Sequence, residues 1–236
     1  TNTTRMTKAV VTYNFGDYDA LKCPEWSDAE WDFLVFTDKP EYQVEGWETI
    51  TLPEKWDVSN DPKRRANYVK YRVFNLLAEL KKEYDLVVVM DANMVVVGPL
   101  DDFVNIFMMS SVDGVVLKSN RESVYEDLEY CEKFDKDDSV TLQETALYFR
   151  EQGYPPKVND YFQTGISVRR NSGAWRMIEE RFQSHYAGYT KRDQPMMNFI
   201  HWKYPFLDLN MVDIKDIGEF IRYDKHTFEK DGVYST

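Results

Sequence analysis

Apolar residues fall in short runs along this chain, each closed by a turn signal, and most runs are separated by stretches of helical period. Lys8-Ala-Val-Val-Thr-Tyr13 is rich in β-formers and gives way to the turn-prone Asn14-Phe-Gly-Asp-Tyr-Asp19, which predicts a first strand. Trp31–Thr37 reads as a second strand, stopped by Asp38-Lys-Pro40, and Trp47–Leu52 as a third, closed by Pro53. Leu86-Val-Val-Val-Met90 differs from these. It is continuously apolar, the pattern of a central strand covered on both faces. It ends abruptly in Asp91-Ala-Asn-Met94, followed by Val95–Val97 and a Gly98-Pro99 turn. Val115–Leu117 and Gly165–Arg169 complete the expected strands.

Between the third strand and residues 86–90, Asp61 suits an N-cap and Pro62 the first helical position. Tyr68, Tyr71, Val73, Phe74, Leu77 and Leu80 recur at roughly helical spacing. Together they predict one helix running to Lys81-Lys82, where basic residues complement the negative end of the helix dipole. Residues 123–133, 140–152, 174–186 and 193–202 predict further helices, the second of them ended by Gly153-Tyr-Pro-Pro156. Thr190 suits an N-cap for the last helix, with Asp193 completing a capping box. No repeat, low-complexity segment or linker interrupts the alternation. The expectation is an α/β fold with a mainly parallel central sheet flanked by helices, in a single domain over residues 1–236.

A chain of 236 residues can bury a core without disulfide or metal staples. The balance of 29 basic against 41 acidic side chains gives a formal charge of −12, which argues against nucleic acid and against an anionic membrane surface as partners. Cys23 and Cys131 alone make neither a disulfide framework nor a zinc site. No apolar run has the length of a membrane span and no signal peptide is visible. The chain begins with Thr rather than Met, so it reads as a piece of something longer. Compartment is left open: the chain reads as a soluble domain with the cytoplasm slightly ahead of the Golgi lumen, which an anchor outside these residues would imply. Asn2-Thr3-Thr4 is a glycosylation sequon in an unstructured-looking start.

Four groups of residues bear on chemistry. Asp91 and Asn93 flank Ala92 at the end of the apolar strand, where open α/β sheets collect ligands. A carboxylate and an amide there offer hard oxygen ligands to Mg²⁺ or Mn²⁺, or simply make a solvated turn. Arg192-Asp193-Gln194 opens a helix, and Asp193 suits either a cap or a general base toward an acceptor hydroxyl. Lys63-Arg64-Arg65 with Lys70 and Arg72 is either a solvated helix face or a diphosphate clamp. Thr12, Tyr13 and Asn14, with Asp17 and Tyr18, end the first strand, a natural seat for a base and ribose, with Tyr13 stacking on the base. His226 is a further candidate metal ligand. The phosphate-binding loop, the dinucleotide-binding glycine turn, the nucleophile elbow and the zinc-protease helix are all missing from the sequence.

The order of these boxes resembles a glycosyltransferase-like group, once catalogued as a domain of unknown function and found in plant cell-wall proteins. The resemblance rests on Tyr13-Asn-Phe-Gly-Asp-Tyr-Asp19, Phe36-Thr-Asp38, Tyr84 through Met94, Val124-Tyr-Glu-Asp127, Gln152-Gly-Tyr-Pro155, Thr164 through Arg170, and Arg192-Asp-Gln194. It covers roughly residues 8–205. It implies a GT-A fold in which Asp91-Ala92-Asn93 stands as an Asp-x-Asp-like metal motif, with Asn93 in place of a second Asp. It further implies a UDP-sugar donor, a glycan acceptor, and hexosyl or deoxyhexosyl transfer. Where the family carries an Arg, this chain has Asn67, which leaves Arg64 or Arg65 as the phosphate contact beside Lys70. Asp193 and Gln194 would be the catalytic pair, with Asp193 the base if configuration inverts and both orienting the donor if it is retained. Glu126, Asp127 and Gln143-Glu144 would line the acceptor cleft, and 160–165 the floor near the sugar. Two rivals remain: a non-catalytic nucleotide-sugar or glycan-binding module on the same fold, motivated by Asn93, and a nucleotidyltransferase, ranked last because residues 12–19 lack a Gly-rich basic loop.

Overall fold

A computed structural model describes residues 6–53, 55 and 59–226, so the sequon at Asn2 lies outside the described residues. In chain order the elements are β1 (Lys8–Asn14), β2 (Trp31–Thr37), β3 (Glu48–Thr51), α1 (Pro62–Lys70), α2 (Val73–Glu79), β4 (Leu86–Met90) and β5 (Met94–Val96). Then follow α3 (Leu100–Phe107), β6 (Gly114–Lys118), α4 (Val124–Lys133), α5 (Ser139–Glu151), β7 (Phe162–Arg170), α6 (Gly173–Tyr186) and α7 (Asp193–Lys203). The described part ends with β8 (Leu209–Val212), a 3₁₀ turn at Ile214–Ile217 and β9 (Ile221–Tyr223).

Seven strands form one sheet in the order β3-β2-β1-β4-β7-β6-β8, and β5 pairs with β9 separately. The sheet is mainly parallel, as expected. The exception is β7, antiparallel to both β4 and β6. Strand β4 is buried throughout, which explains its uninterrupted apolar run. Val87 and Val89 face the larger core beneath α1, α2 and α4 to α7, while Leu86, Val88 and Met90 face the second core, with α3. Each such side chain contributes about 1.5–3 kcal/mol by leaving water. Among the described residues no helix is long and apolar enough to cross a membrane.

Two local expectations need correction. The single helix expected over 62–82 is two. Asp61 caps α1 as foreseen, its carboxylate accepting from the Lys63 and Arg64 amides at 2.8 and 3.2 Å. The helix then breaks after Lys70, whose carbonyl accepts from the buried Arg169 guanidinium at 2.6 Å. A side chain inserted at a carbonyl is a known cause of helix interruption. The capping box at Thr190 is not formed either. Arg192 is the N-cap of α7 and Asp193 its first residue, while the Thr190 hydroxyl donates to Asp137 at 2.6 Å and accepts from the Arg192 amide at 3.1 Å.

Candidate active site

The carboxyl ends of β1 and β4 lie side by side, and this brings Tyr13 to Asp91. The Tyr13 hydroxyl donates to Asp91 Oδ1 in a short hydrogen bond. The Asp91 amide donates to the Gly165 carbonyl at 2.8 Å, and the turn closes with Met94 N to Asp91 O at 3.1 Å. A Cβ at Gly165 would sit 2.7 Å from the Tyr223 hydroxyl and 2.8 Å from Met94 Cε, so both side chains would have to shift. Burial and the Asp91 and Asp193 charges push the Tyr13 phenol well above its ordinary range, so it stays a hydrogen-bond donor.

Beneath Asp91 lies a buried ionic network. Lys70, 1% exposed, reaches Asp193 Oδ2 at 2.8 Å and Asp91 Oδ1 at 3.4 Å. Lys63 pairs with Asp193 Oδ1 at 3.1 Å, and the Tyr71 hydroxyl donates to Oδ2 at 3.0 Å. Both carboxylate oxygens of Asp193 are therefore taken. Burial alone would raise this carboxyl, but the Lys63 and Lys70 charges overcome it and hold Asp193 well below the usual carboxylate range. Under the network Arg169 donates to Ser167 at 2.8 Å and lies 3.8 Å from Glu179, both side chains being almost fully buried.

Two cavities meet above this network. One, of about 390 Å³, runs from the β1 loop (Tyr13, Asn14, Phe15, Tyr18) to Asp91 and Ala92. The other, of about 250 Å³, runs past Asp127, Gln163, Thr164, Gly165, Asp193 and Gln194. They share Lys63, Asp91, Lys136, Arg192 and His226. Three cations thus gather where the cavities join, within a protein of strongly negative net charge. The Arg192 guanidinium makes no hydrogen bond or ion pair with a described residue. Lys136 follows Asp135, whose φ of 50° turns the chain after α4. Burial, and then the Arg192 charge, lower the Lys136 ammonium to about 8.

The sequence candidates divide on this geometry. Tyr13, Asn14, Asp91, Ala92 and His226 line the first cavity, and Asp193 and Gln194 the second. Thr12 is fully buried and lines neither. Asn14 binds its own loop, its amide donating to the Asp19 carbonyl at 2.6 Å and the Tyr42 hydroxyl at 3.0 Å. The expected clamp is displaced. Arg64 donates to the Tyr189 carbonyl at 2.8 Å, and Arg65 to the Ser59 carbonyl at 2.6 Å and to Asp38 at 3.2 Å. Neither lines either of these two cavities, and Lys70 lies beneath the floor; the half-buried Lys63, Lys136 and Arg192 line both instead. Of the residues expected around the acceptor and sugar, Asp127, Gln163, Thr164 and Gly165 line the second cavity, whereas Glu126 accepts from the Glu122 amide at 2.8 Å, Gln143 donates to Glu132 at 3.1 Å, and Glu144 is exposed. Sequence reasoning passed over Lys136 and Tyr223. Tyr18, 57% exposed and edge-on to His226 at 5.4 Å, is better placed than Tyr13 to stack on a planar ligand.

Donors for a divalent cation are incomplete but compatible. Asp91 Oδ2 accepts no hydrogen bond from a described residue. Asn93 Nδ2 donates to the Asp224 carbonyl at 3.1 Å, leaving Oδ1 buried with no donor among the described residues. Reversing the amide would set two oxygens against each other, so the orphan is an oxygen, which suits a hard cation. His226 is held by the Asp19 carboxylate at 3.0 Å, a contact that orients a metal-binding imidazole. Among the described residues no three His, Cys, Asp or Glu side chains form a metal-binding group, and Asn93 lines neither cavity.

No protein-family model matches the sequence. No curated protein matches it at a significant level. Among solved structures, the bifunctional glycosyltransferase WbbM is similar at TM-score 0.51 and 14% identity over 90% of this chain, which spans 40% of WbbM. That likeness is one of fold and agrees with the mostly parallel sheet flanked by helices. Mouse xyloside xylosyltransferase 1 (TM-score 0.47, 9% identity) is matched over 87% of this chain and 85% of its own. GlyE from Streptococcus pneumoniae (TM-score 0.44, 10% identity) is matched over 87% of this chain and 46% of its own.

Proposed function

We propose that the chain transfers a sugar, of hexosyl or deoxyhexosyl type, from a nucleoside diphosphate-sugar, UDP-linked in the first instance, to a glycan hydroxyl. The observation that carries this is the junction of two cavities at Asp91, with Lys63, Lys136 and Arg192 converging on it. A nucleoside fits the aromatic-lined cavity beside Tyr18, a diphosphate the cationic junction, and a sugar the polar cavity beyond. Mn²⁺ or Mg²⁺, held by Asp91 and His226 with the Asn93 amide oxygen, would supply Lewis-acid stabilisation of the leaving diphosphate. Arg192 offers the planar fork that suits phosphate oxygens, and Lys63 and Lys136 add point charges where negative charge grows as the glycosidic bond breaks. Asp193, with both oxygens committed to lysines and Tyr71, serves to fix those cations rather than to take a proton.

The test is hydrolysis and transfer across a panel of UDP-sugars with Mn²⁺. Turnover by the wild type that falls at least 100-fold in Arg192→Ala supports the reading; no turnover of any nucleoside diphosphate-sugar would sink it. The turning of the Asn93 amide toward Asp224 favours one second reading, a non-catalytic nucleotide-sugar or glycan-binding module, which predicts binding without turnover.

A further inference from the structure

Two buried carboxylates face the polar cavity, and their surroundings push them apart. Asp193 is saturated by two ammonium groups and a phenol. Asp127, on the first turn of α4, accepts from the Tyr161 hydroxyl at Oδ2, at 2.7 Å, and is approached by the Gln194 side chain as well. Its Oδ1 forms a longer ion pair with Arg121 at 3.4 Å. Beside it Gln194 lines the same cavity, and its buried Nε2 interacts with Asp127 without forming a well-aligned hydrogen bond to a described residue. A buried donor that is poorly paired costs stability, and a ligand oxygen in this cavity would give it a second acceptor.

We propose that Asp127 is the catalytic base, taking the proton of the acceptor hydroxyl, with Gln194 holding an oxygen of the substrate beside it. The step balances as a single displacement. The acceptor oxygen bonds to the anomeric carbon, its proton passes to Asp127, and the bond from that carbon to the diphosphate oxygen breaks with its electron pair leaving on the diphosphate. One displacement inverts the anomeric configuration. The proposal deepens the donor reading and rests on it.

Chemistry at the two carboxyls agrees with the geometry. Burial raises the Asp127 carboxyl, while Arg121, the Tyr161 hydroxyl, Arg192 and the Gln194 amide pull it back only in part. Tyr130 and Cys131 on its own helix and Lys136 just beyond it also face this group. A carboxylate raised toward neutrality is a competent proton acceptor, whereas one held far below is not.

The experiment uses UDP-hexoses with Mn²⁺ and water as the acceptor, so that no glycan need be known, and follows wild type and Asp127→Asn. Titration with UDP reports donor binding and folding separately. The expected result is unchanged UDP affinity in Asp127→Asn, kcat lowered at least 100-fold, and loss of the acid limb that wild-type kcat/KM shows as pH falls and the base is protonated. NMR of the first-released sugar should show the inverted anomer. Turnover by Asp127→Asn within tenfold of wild type, an unchanged acid limb, or a retained anomer would each overturn the proposal. A wild type that binds UDP but shows no hydrolysis would overturn it too, while failure to bind UDP would overturn the donor reading and the base together.

Discussion

Removing Lys70 should expose how much of the site depends on its ionic floor. Lys70 and Asp193 are 1% and 5% exposed and 2.8 Å apart, so the pair is screened very little by water. Breaking a buried pair by deleting one partner costs about 3–5 kcal/mol, because the survivor is left charged and desolvated. In Lys70→Met, however, Asp193 keeps Lys63 at 3.1 Å and the Tyr71 hydroxyl at 3.0 Å. The expected loss is therefore at the lower end, about 3 kcal/mol. Asp193→Asn leaves Lys70 only the weaker Asp91 contact at 3.4 Å. The double variant should lose less than the sum of the singles, with a coupling of at least ~1 kcal/mol. Urea unfolding at pH 7 with matched m-values measures all four proteins. Additivity within ~0.5 kcal/mol would refute the network. The sign of the pH dependence is also fixed. Asp193 is depressed in the folded state, so its stability is present above its unfolded value near ~3.9 and lost as pH falls through the folded one. The gap between wild type and Asp193→Asn should hold from neutral pH to about 5 and shrink in stronger acid.

Other outcomes follow from the same contacts. Arg192→Ala and Lys136→Ala should each weaken UDP binding about 10- to 100-fold with reduced salt dependence, while Arg65→Ala leaves it unchanged; titration calorimetry at two ionic strengths distinguishes them. Gly165→Ala should cost about 1–3 kcal/mol and impair the site more than that loss explains, since its Cβ would displace the Tyr223 hydroxyl and Met94 Cε beside Asp91. Thermal unfolding and UDP affinity check both halves. Glu179, raised to about 7 by burial against the partial pull of Arg169, contributes stability that is full below its unfolded value and lost as pH rises through the folded one. Wild type should therefore lose about 3 kcal/mol relative to Glu179→Gln between roughly pH 4.5 and 7, read by urea unfolding across that range.

Where sequence and structure agree, a local signal was strong. The unbroken run Leu86–Met90 reads as a strand covered on both faces, and it is one, buried throughout, with Asp91 at its carboxyl end. Arg192-Asp-Gln194 was correctly set at a helix start and does face the cavity. Three consecutive cations, Lys63, Arg64 and Arg65, look alike along the chain, so which of them lines a cavity was not legible there. Only the seating of α1 turns Lys63 toward Asp193 and sends its neighbours to Tyr189 and Asp38. Lys136 reaches the junction through a left-handed Asp135, and Tyr223 through a three-residue strand pairing with β5. Neither carries a period long enough to notice. Asp193 looked like the reactive carboxylate because nothing along the chain shows that Lys63 and Lys70 fold over it.

Titration calorimetry of UDP with Mn²⁺, on wild type and Asp91→Ala, tests the account at its centre. It predicts metal-dependent binding by the wild type and its loss in the variant. Failure of the wild type to bind UDP with either Mn²⁺ or Mg²⁺, or undiminished binding by Asp91→Ala, would contradict it.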